Sequence, residues 1–364
     1  MILSEITSYL NSHIPLSLQE NYDNCGLLIG NPNDEIAGVL ICLDITEEVM
    51  DEALTKSCNL IISHHPLIFS GIKSLTGRTD TERLVIRAIR QNIAVFALHT
   101  NLDNHHEGVN HFLCGKLGIS NAEILKPLPH KLRKLVTFCP PSHANLVRDA
   151  IFKAGAGQIG NYDCCSYNTP GEGTFRALDG ANPYAGEPGK LHTEIEQRIE
   201  TIFPSFLESA VIAALKQAHP YEEVAFDIYP LTNLHQRIGA GMIGTLPQAV
   251  DAEEFLIFVK KTLQLGCIRH TNLKNKKIQR IAVCGGSGSF LINDAIYCNA
   301  DIYMTGDIKY HDFFIPENKM ILADIGHFES EQFTKELIYT LLKKKFTTFA
   351  LFISGTKTNP VNYL

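Results

Sequence analysis

Short apolar runs alternate with amphipathic stretches at both ends of the chain, and a different rhythm holds between them. Ile2, Leu3, Ile6 and Leu10 recur at helical spacing with Ser4, Glu5 and Ser8 between them, which predicts an opening helix. Residues 24–30, bracketed by glycines, and 38–43 read as strands. Thr46-Glu47-Glu48 leads into a helix over 46–56. An apolar strand over 59–63, a helix over 81–91 and a second apolar strand over 93–98 follow. Strands alternating with helices in this way imply a parallel sheet covered on both faces.

At Lys126-Pro127-Leu128-Pro129 the texture changes to that of a linker. Beyond it the pattern predicts a strand at 135–138, a helix at 144–154, and extended segments at 160–167, 173–178 and 191–202. A helix at 204–218 and a strand at 224–229 close the block. The order β-α-β-β-β-α-β resembles a ferredoxin-like sandwich with one additional strand or hairpin. Residues 179–189, rich in glycine and proline, predict a mobile loop. The first rhythm then returns, with strands at 239–246, 281–284, 301–304, 320–323 and 348–353 and helices at 252–263, 290–298 and 329–342. The reading is an α/β core built from 1–126 and 233–364, interrupted by an α+β insert at 127–232.

The length of 364 residues fits two or more domains, and 45% hydrophobic with 20% charged residues is ordinary for a globular chain. A formal charge of −7 excludes a broad nucleic-acid footprint. The basic run 274–277 is short and reads as solvated. Ten cysteines are scattered without C-x-x-C spacing, so they read as reduced. No apolar run reaches the roughly 18 residues of a membrane span, and no signal peptide is recognisable. A soluble cytoplasmic protein is the expectation.

The chemistry collects at strand ends. The strand at 59–63 runs into His64-His65-Pro66, and the one at 93–98 into His99-Thr100-Asn101-Leu102-Asp103. Proline cannot continue a central ladder, so the chain turns there and both imidazoles can face one centre. One core histidine beside one turn histidine is the competing reading. His327 and Glu331 stand four apart at a helix start and share a face. Three imidazoles and two carboxylates suit zinc, manganese or iron better than magnesium or calcium, and a carboxylate can bridge two ions. His99 could serve as an outer partner or a general acid-base, and Asp307 and His311 could position substrate. Gly285-Gly286-Ser287-Gly288-Ser289 could cradle an anion with its amides, or simply form a tight turn.

Asp23-Asn24-Cys25-Gly26-Leu27-Leu28-Ile29-Gly30, Ser63-His64-His65-Pro66, His99-Thr100-Asn101-Leu102-Asp103 and Gly326-His327-Phe328-Glu329-Ser330-Glu331 together resemble the Nif3-like family, the GTP cyclohydrolase 1 type 2 homologues. The block with His219-Pro220-Tyr221-Glu222-Glu223 resembles the CutA-like or PII-like insert of the family's longer members. The resemblance implies a Nif3-like α/β core with two divalent metal ions, zinc first. His65 and Asp103 would bind one, His64 and His327 the other, and Glu331 would bridge them. It also implies a toroidal homohexamer and a hydrolase of GTP cyclohydrolase type, which opens the purine ring at C8 and releases formate. A metal-binding regulatory or scaffold protein with a ligand-sensing insert, or a metal-dependent phosphoesterase, remains as the alternative.

Overall fold

The computed structural model describes residues 1–273 and 276–364, so the first half of the run 274–277 lies outside the described residues. The chain divides into two compact units, 1–126 with 237–364, and 127–236.

In the larger unit, α1 (Leu3–His13), β1 (Gly26–Ile29), β2 (Val39–Cys42), α2 (Glu47–Thr55), β3 (Leu60–Ser63), α3 (Asp80–Arg90) and β4 (Ala94–Ala97) come first. The short α4 (Thr100–Asp103), α5 (Val109–Lys116) and β5 (Ser120–Pro127) follow. The insert holds β6 (Leu132–Cys139), α6 (Ala144–Lys153), β7 (Tyr167–Arg176), β8 (Leu191–Pro204), α7 (Glu208–Ala218) and β9 (Phe226–Leu231). The larger unit resumes with β10 (Gly239–Asp251), α8 (Ala252–Thr262), β11 (Arg269–His270), β12 (Lys277–Ser287) and α9 (Ile292–Tyr297). It ends with β13 (Ile302–Gly306), β14 (Ile321–Asp324), α10 (His327–Glu331), α11 (Thr334–Lys345) and β15 (Leu351–Ile353).

The larger unit contains two sheets where a single covered sheet was the simplest expectation. Their orders are β1-β4-β3-β2-β15 and β11-β14-β13-β12-β10-β5. Strands β15, β2, β3 and β4 are parallel, as are β12, β13 and β14. Side chains alternate across each sheet: Leu60 and Ile62 enter one core cluster with Phe96 of β4 and Ile338 of α11, while Ile61 enters another with Met50 of α2 and Leu84 of α3. Both faces are therefore buried, which is why these strands are continuously apolar. In the second sheet Ile281, Val283, Ile302 and Met304 pack with α8, and Ala282 and Tyr303 with α9. Helix α5 packs on β10 and β12, α11 packs on β2 and β15, and the two helices touch. The C-terminal ends of the parallel strands, where open α/β sheets hold ligands, supply His64, His65, Asp103, His327 and Glu331 or lead into them.

Several boundaries moved. The Lys126–Pro129 linker is partly edge strand β5, which pairs within the second sheet. Residues 329–342 do not form one helix, because α10 ends at Glu331 and α11 begins at Thr334. In the insert the expected segment 160–167 contributes only its last residue to a strand: β7 runs from Tyr167 through Pro170 and Gly171 to Arg176 and takes in most of 173–178. The insert is thus β-α-β-β-α-β with no additional strand, in an antiparallel sheet ordered β7-β8-β6-β9. Proline and glycine are tolerated there because β7 is an edge strand. Among the described residues no helix is long and apolar enough to cross a membrane.

Candidate metal centre

The ladder of β3 continues one step past the strand: His64 N–H donates to the Cys42 carbonyl and His65 N–H to the Leu43 carbonyl. The chain then turns at Pro66, where Ser63 Oγ donates to the His65 carbonyl at 2.7 Å. The two imidazoles leave this turn in different directions. His64 is fully buried, and its Nδ1–H donates to the Leu98 carbonyl at 2.7 Å. A carbonyl only accepts, so Nε2 is left with its lone pair exposed to the centre. His65 Nδ1 meets Asp44 Oδ1 at 2.7 Å, just past β2. His327 Nδ1 meets Asp307 Oδ2 at 2.6 Å, just past β13. All three rings are held by Nδ1 and present Nε2 inward, the arrangement by which an outer acceptor orients a metal-binding histidine.

Glu331 lies between them with its side chain 4% exposed, and its two oxygens face different partners. Oε1 lies 3.6 Å from His64 Nε2, which is 3.7 Å from Asp103 Oδ1. Oε2 lies 3.0 Å from His65 Nε2 and 3.1 Å from His327 Nε2. These separations bracket about 3.4 Å, the edge of a tetrahedron with bonds of roughly 2.1 Å to zinc. His64 Nε2 and Asp103 Oδ1 are buried with no hydrogen-bond partner, a costly state for polar atoms unless something else satisfies them. One divalent cation between His64, Asp103 and Glu331 would satisfy both atoms, and two trios of donors lie close enough together to hold an ion. The trios are His64, Asp103 and Glu331, and His65, His327 and Glu331. The resemblance paired His65 with Asp103 and His64 with His327; the distances exchange these partners. The cause is the turn at Pro66, which sends His64 towards β4 and α4 and His65 towards β2 and α10.

Charge follows the same division. Burial opposes a proton on His65, but the hydrogen bonds to Asp44 and Glu331 prevail and raise its pKa to about 10. The hydrogen bond to Glu331 chiefly raises His327 to about 9. Burial, then the charge of Glu331, lifts Asp103 to about 7. Glu331 itself stays well below the usual carboxylate range despite its burial, because it faces three imidazoles. Protons on His65 and His327 would therefore compete with a cation for the same Nε2 atoms.

His99 belongs to a third trio with His64 and His65. Its Nδ1 meets Asp23 Oδ1 at 2.8 Å, and the side chain of Asp23 is fully buried. Burial works against the Asp23 charge, yet hydrogen bonds from His99 and Thr100 hold its carboxyl far below the usual range. Sequence alone assigns neither Asp23 nor Asp44 a role at the site, although Asp23 opens the first of the motifs and both stand beside recognisable strand ends. Asp307 supports the His327 ring rather than facing the centre directly. His311 is not brought to the cluster; its ring meets that of Tyr310 edge-on at 5.3 Å and lies 6.5 Å from that of Phe314. In the Gly285–Ser289 run the first two amides are already committed, Gly285 N–H to Asn110 Oδ1 and Gly286 N–H to Ser330 Oγ. Its role is space: a Cβ on Gly286, whose φ is +63°, would lie 2.2 Å from Glu331 Oε1.

A cavity of about 560 Å³ opens beside the centre, with Asp44, His65, Asp307 and His327 on one side and Arg269 and Tyr363 among its other walls. Arg269 is paired with Asp324 and also donates to the Ile308 carbonyl.

Comparison with known proteins places the chain in a family. The model of the Duf34/NIF3 (NGG1p interacting factor 3) family matches residues 1–360. A Bacillus subtilis protein named GTP cyclohydrolase 1 type 2 homolog is 39% identical over 351 residues, covering 94% of this chain and 93% of its own length. A Staphylococcus aureus protein of the same name is 36% identical, with both chains covered completely. The crystal structure of a Bacillus cereus protein related to NIF3 superposes with a TM-score of 0.86 at 36% identity, covering 100% of this chain and 99% of its own.

Proposed function

Because the chain belongs to the Duf34/NIF3 family, we propose that its five donors hold two divalent ions, zinc first with manganese or iron also compatible, and that the centre hydrolyses a carbon–nitrogen bond of a heterocycle. The observation that carries this reading is Glu331, whose two oxygens are divided between two three-donor groups beside an open cavity. When bound, paired ions of this kind acidify a water molecule and stabilise the developing oxyanion.

The protein's own residues do the rest. Asp44, Asp307 and the Leu98 carbonyl fix the ring orientations. His99, held through Nδ1 by the buried Asp23, offers Nε2 as a proton carrier. It takes a proton as water adds to the ring carbon and returns it to the departing nitrogen. In the purine case, named for the curated relatives, water adds at C8 and the C8–N9 bond breaks to give a formamide. A second water then releases formate and leaves a free amine. His311 has no part in this scheme, and Asp307 acts through His327.

Assembly as a toroidal homohexamer of the 40.4 kDa chain, a CutA-like or PII-like identity for the insert and a cytoplasmic location belong to the same proposal. The β-α-β-β-α-β order supports the identity of the insert. Zinc-loaded protein incubated with a nucleotide panel tests the reaction. Formate release without phosphate supports it. Phosphate alone assigns a phosphoesterase, and neither product leaves a metal-binding regulatory protein.

A further inference from the structure

The insert has a cavity of its own, about 470 Å³, whose lining combines three aromatic rings with three carboxylates. Phe175 comes from β7, Tyr184 from the 179–189 loop and Tyr221 from the segment after α7. The Tyr221 ring centroid lies 5.8 Å from that of Tyr184 and 6.4 Å from that of Phe175. The acids are Glu196 on β8, Glu222 and Glu223, set against the single cation Arg176.

This lining is organised. Tyr221 Oη–H donates to Glu196 Oε1 at 2.8 Å. Burial and the Glu196 charge raise the phenol pKa, so the donor keeps its proton. Glu196 reaches the wall only because Gly173 on β7 has no side chain: a Cβ there would lie 2.2 Å from Glu196 Oε2. The Asn182 N–H donates to Glu222 Oε2 at 2.9 Å, which ties the Tyr184 loop to the segment carrying Tyr221.

We propose that this cavity binds a small organic cation, a quaternary or protonated amine bearing an apolar body. Aromatic faces carry negative potential and attract cations, most strongly when partly desolvated. The carboxylates add to that field and would repel a phosphate-bearing ligand. A bare metal ion would gain little from the rings. The volume, in the range of small-molecule pockets, exceeds what an ammonium head needs, and Leu178 and Pro183 supply apolar wall for the remainder.

Calorimetric titration of the full-length protein with choline, and with neohexyl alcohol as its neutral isostere, tests this at constant ionic strength. Choline is expected to bind in a roughly millimolar range and the alcohol at least about tenfold more weakly. Tyr221→Leu and Glu196→Gln should each weaken choline about tenfold, and Tyr221→Phe, which keeps the ring, should weaken it less. Glu331→Gln, in the metal centre, should leave choline binding unchanged, which separates this site from the proposed hydrolase. Equal affinity for alcohol and choline would reduce the site to an apolar slot and overturn the proposal. So would binding of adenosine without choline, or binding of neither cation nor alcohol.

Discussion

Replacing Gly286 by alanine adds one methyl group at the point where the two trios meet. The new Cβ would lie 2.2 Å from Glu331 Oε1, 3.1 Å from its Cδ and 3.4 Å from His327 Nε2. Neither side can retreat easily. The Gly286 N–H is bound to Ser330 Oγ at 3.0 Å and its carbonyl accepts from Thr305 Oγ1 at 3.1 Å. The Glu331 carboxylate is enclosed by His64, His65 and His327. A φ of +63° costs an alanine about 1–2 kcal/mol, which corresponds to a melting temperature lower by roughly 2–8 °C in a unit of this size. The functional effect should be larger. Displacing a carboxylate shared by both trios is expected to weaken both ions beyond the roughly 10–100-fold loss typical of outer-sphere partners. Gly71→Ala is the control, because nothing lies within 4 Å of its Cβ position. Equilibrium dialysis against zinc, with metal content by mass spectrometry and fold by circular dichroism, reads both quantities. Two ions bound at wild-type affinity in folded Gly286→Ala protein would refute the bridging position of Glu331.

Zinc affinity should rise with pH well beyond neutrality, because His65 and His327 must release protons held to about 10 and about 9, and Asp103 one held to about 7. The slope is expected near two decades per pH unit between about 7 and 9 and steeper below; a profile flat above pH 7 would contradict the coupling to Asp44 and Asp307. The same raised histidine pKa values stabilise the metal-free fold below the unfolded value of about 6.5, and that contribution is lost as pH rises through about 9 to 10; urea melts of metal-free protein across that range check it. Asp44→Asn and Asp307→Asn should each cost roughly 10–100-fold in affinity, chiefly for the ion at His65 and His327, read as loss of one zinc per chain at limiting metal. His99→Gln and Asp23→Asn should lower kcat about 100-fold or more with zinc content unchanged, and loss of zinc in either would instead make His99 a ligand. Removal of 127–236 with a short linker should leave cooperative unfolding and zinc binding, since the insert's core cluster shares no residue with those of the larger unit; non-cooperative melting would refute this.

Much of the larger unit was written in local pattern. The apolar runs at β2, β3, β4, β13 and β14 mark strands because both faces of each are buried, and periodicity records burial directly. Candidate ligands at their ends were legible for the same reason, since His64, His65, Asp103, His327 and Glu331 all follow recognisable elements. Local pattern does not determine which strands become neighbours. The partition into two sheets, the exchange of partners between His64 and His65, and the approach of Asp44 and Asp307 to their imidazoles arise from contacts between segments far apart in the chain. Gly285–Ser289 shows the limit most clearly. Its composition permitted a phosphate loop, but its first two amides are bound to Asn110 and Ser330. What the run provides is a missing side chain opposite Glu331. A sequence shows that a residue is small; only the packed structure shows what occupies the space it leaves.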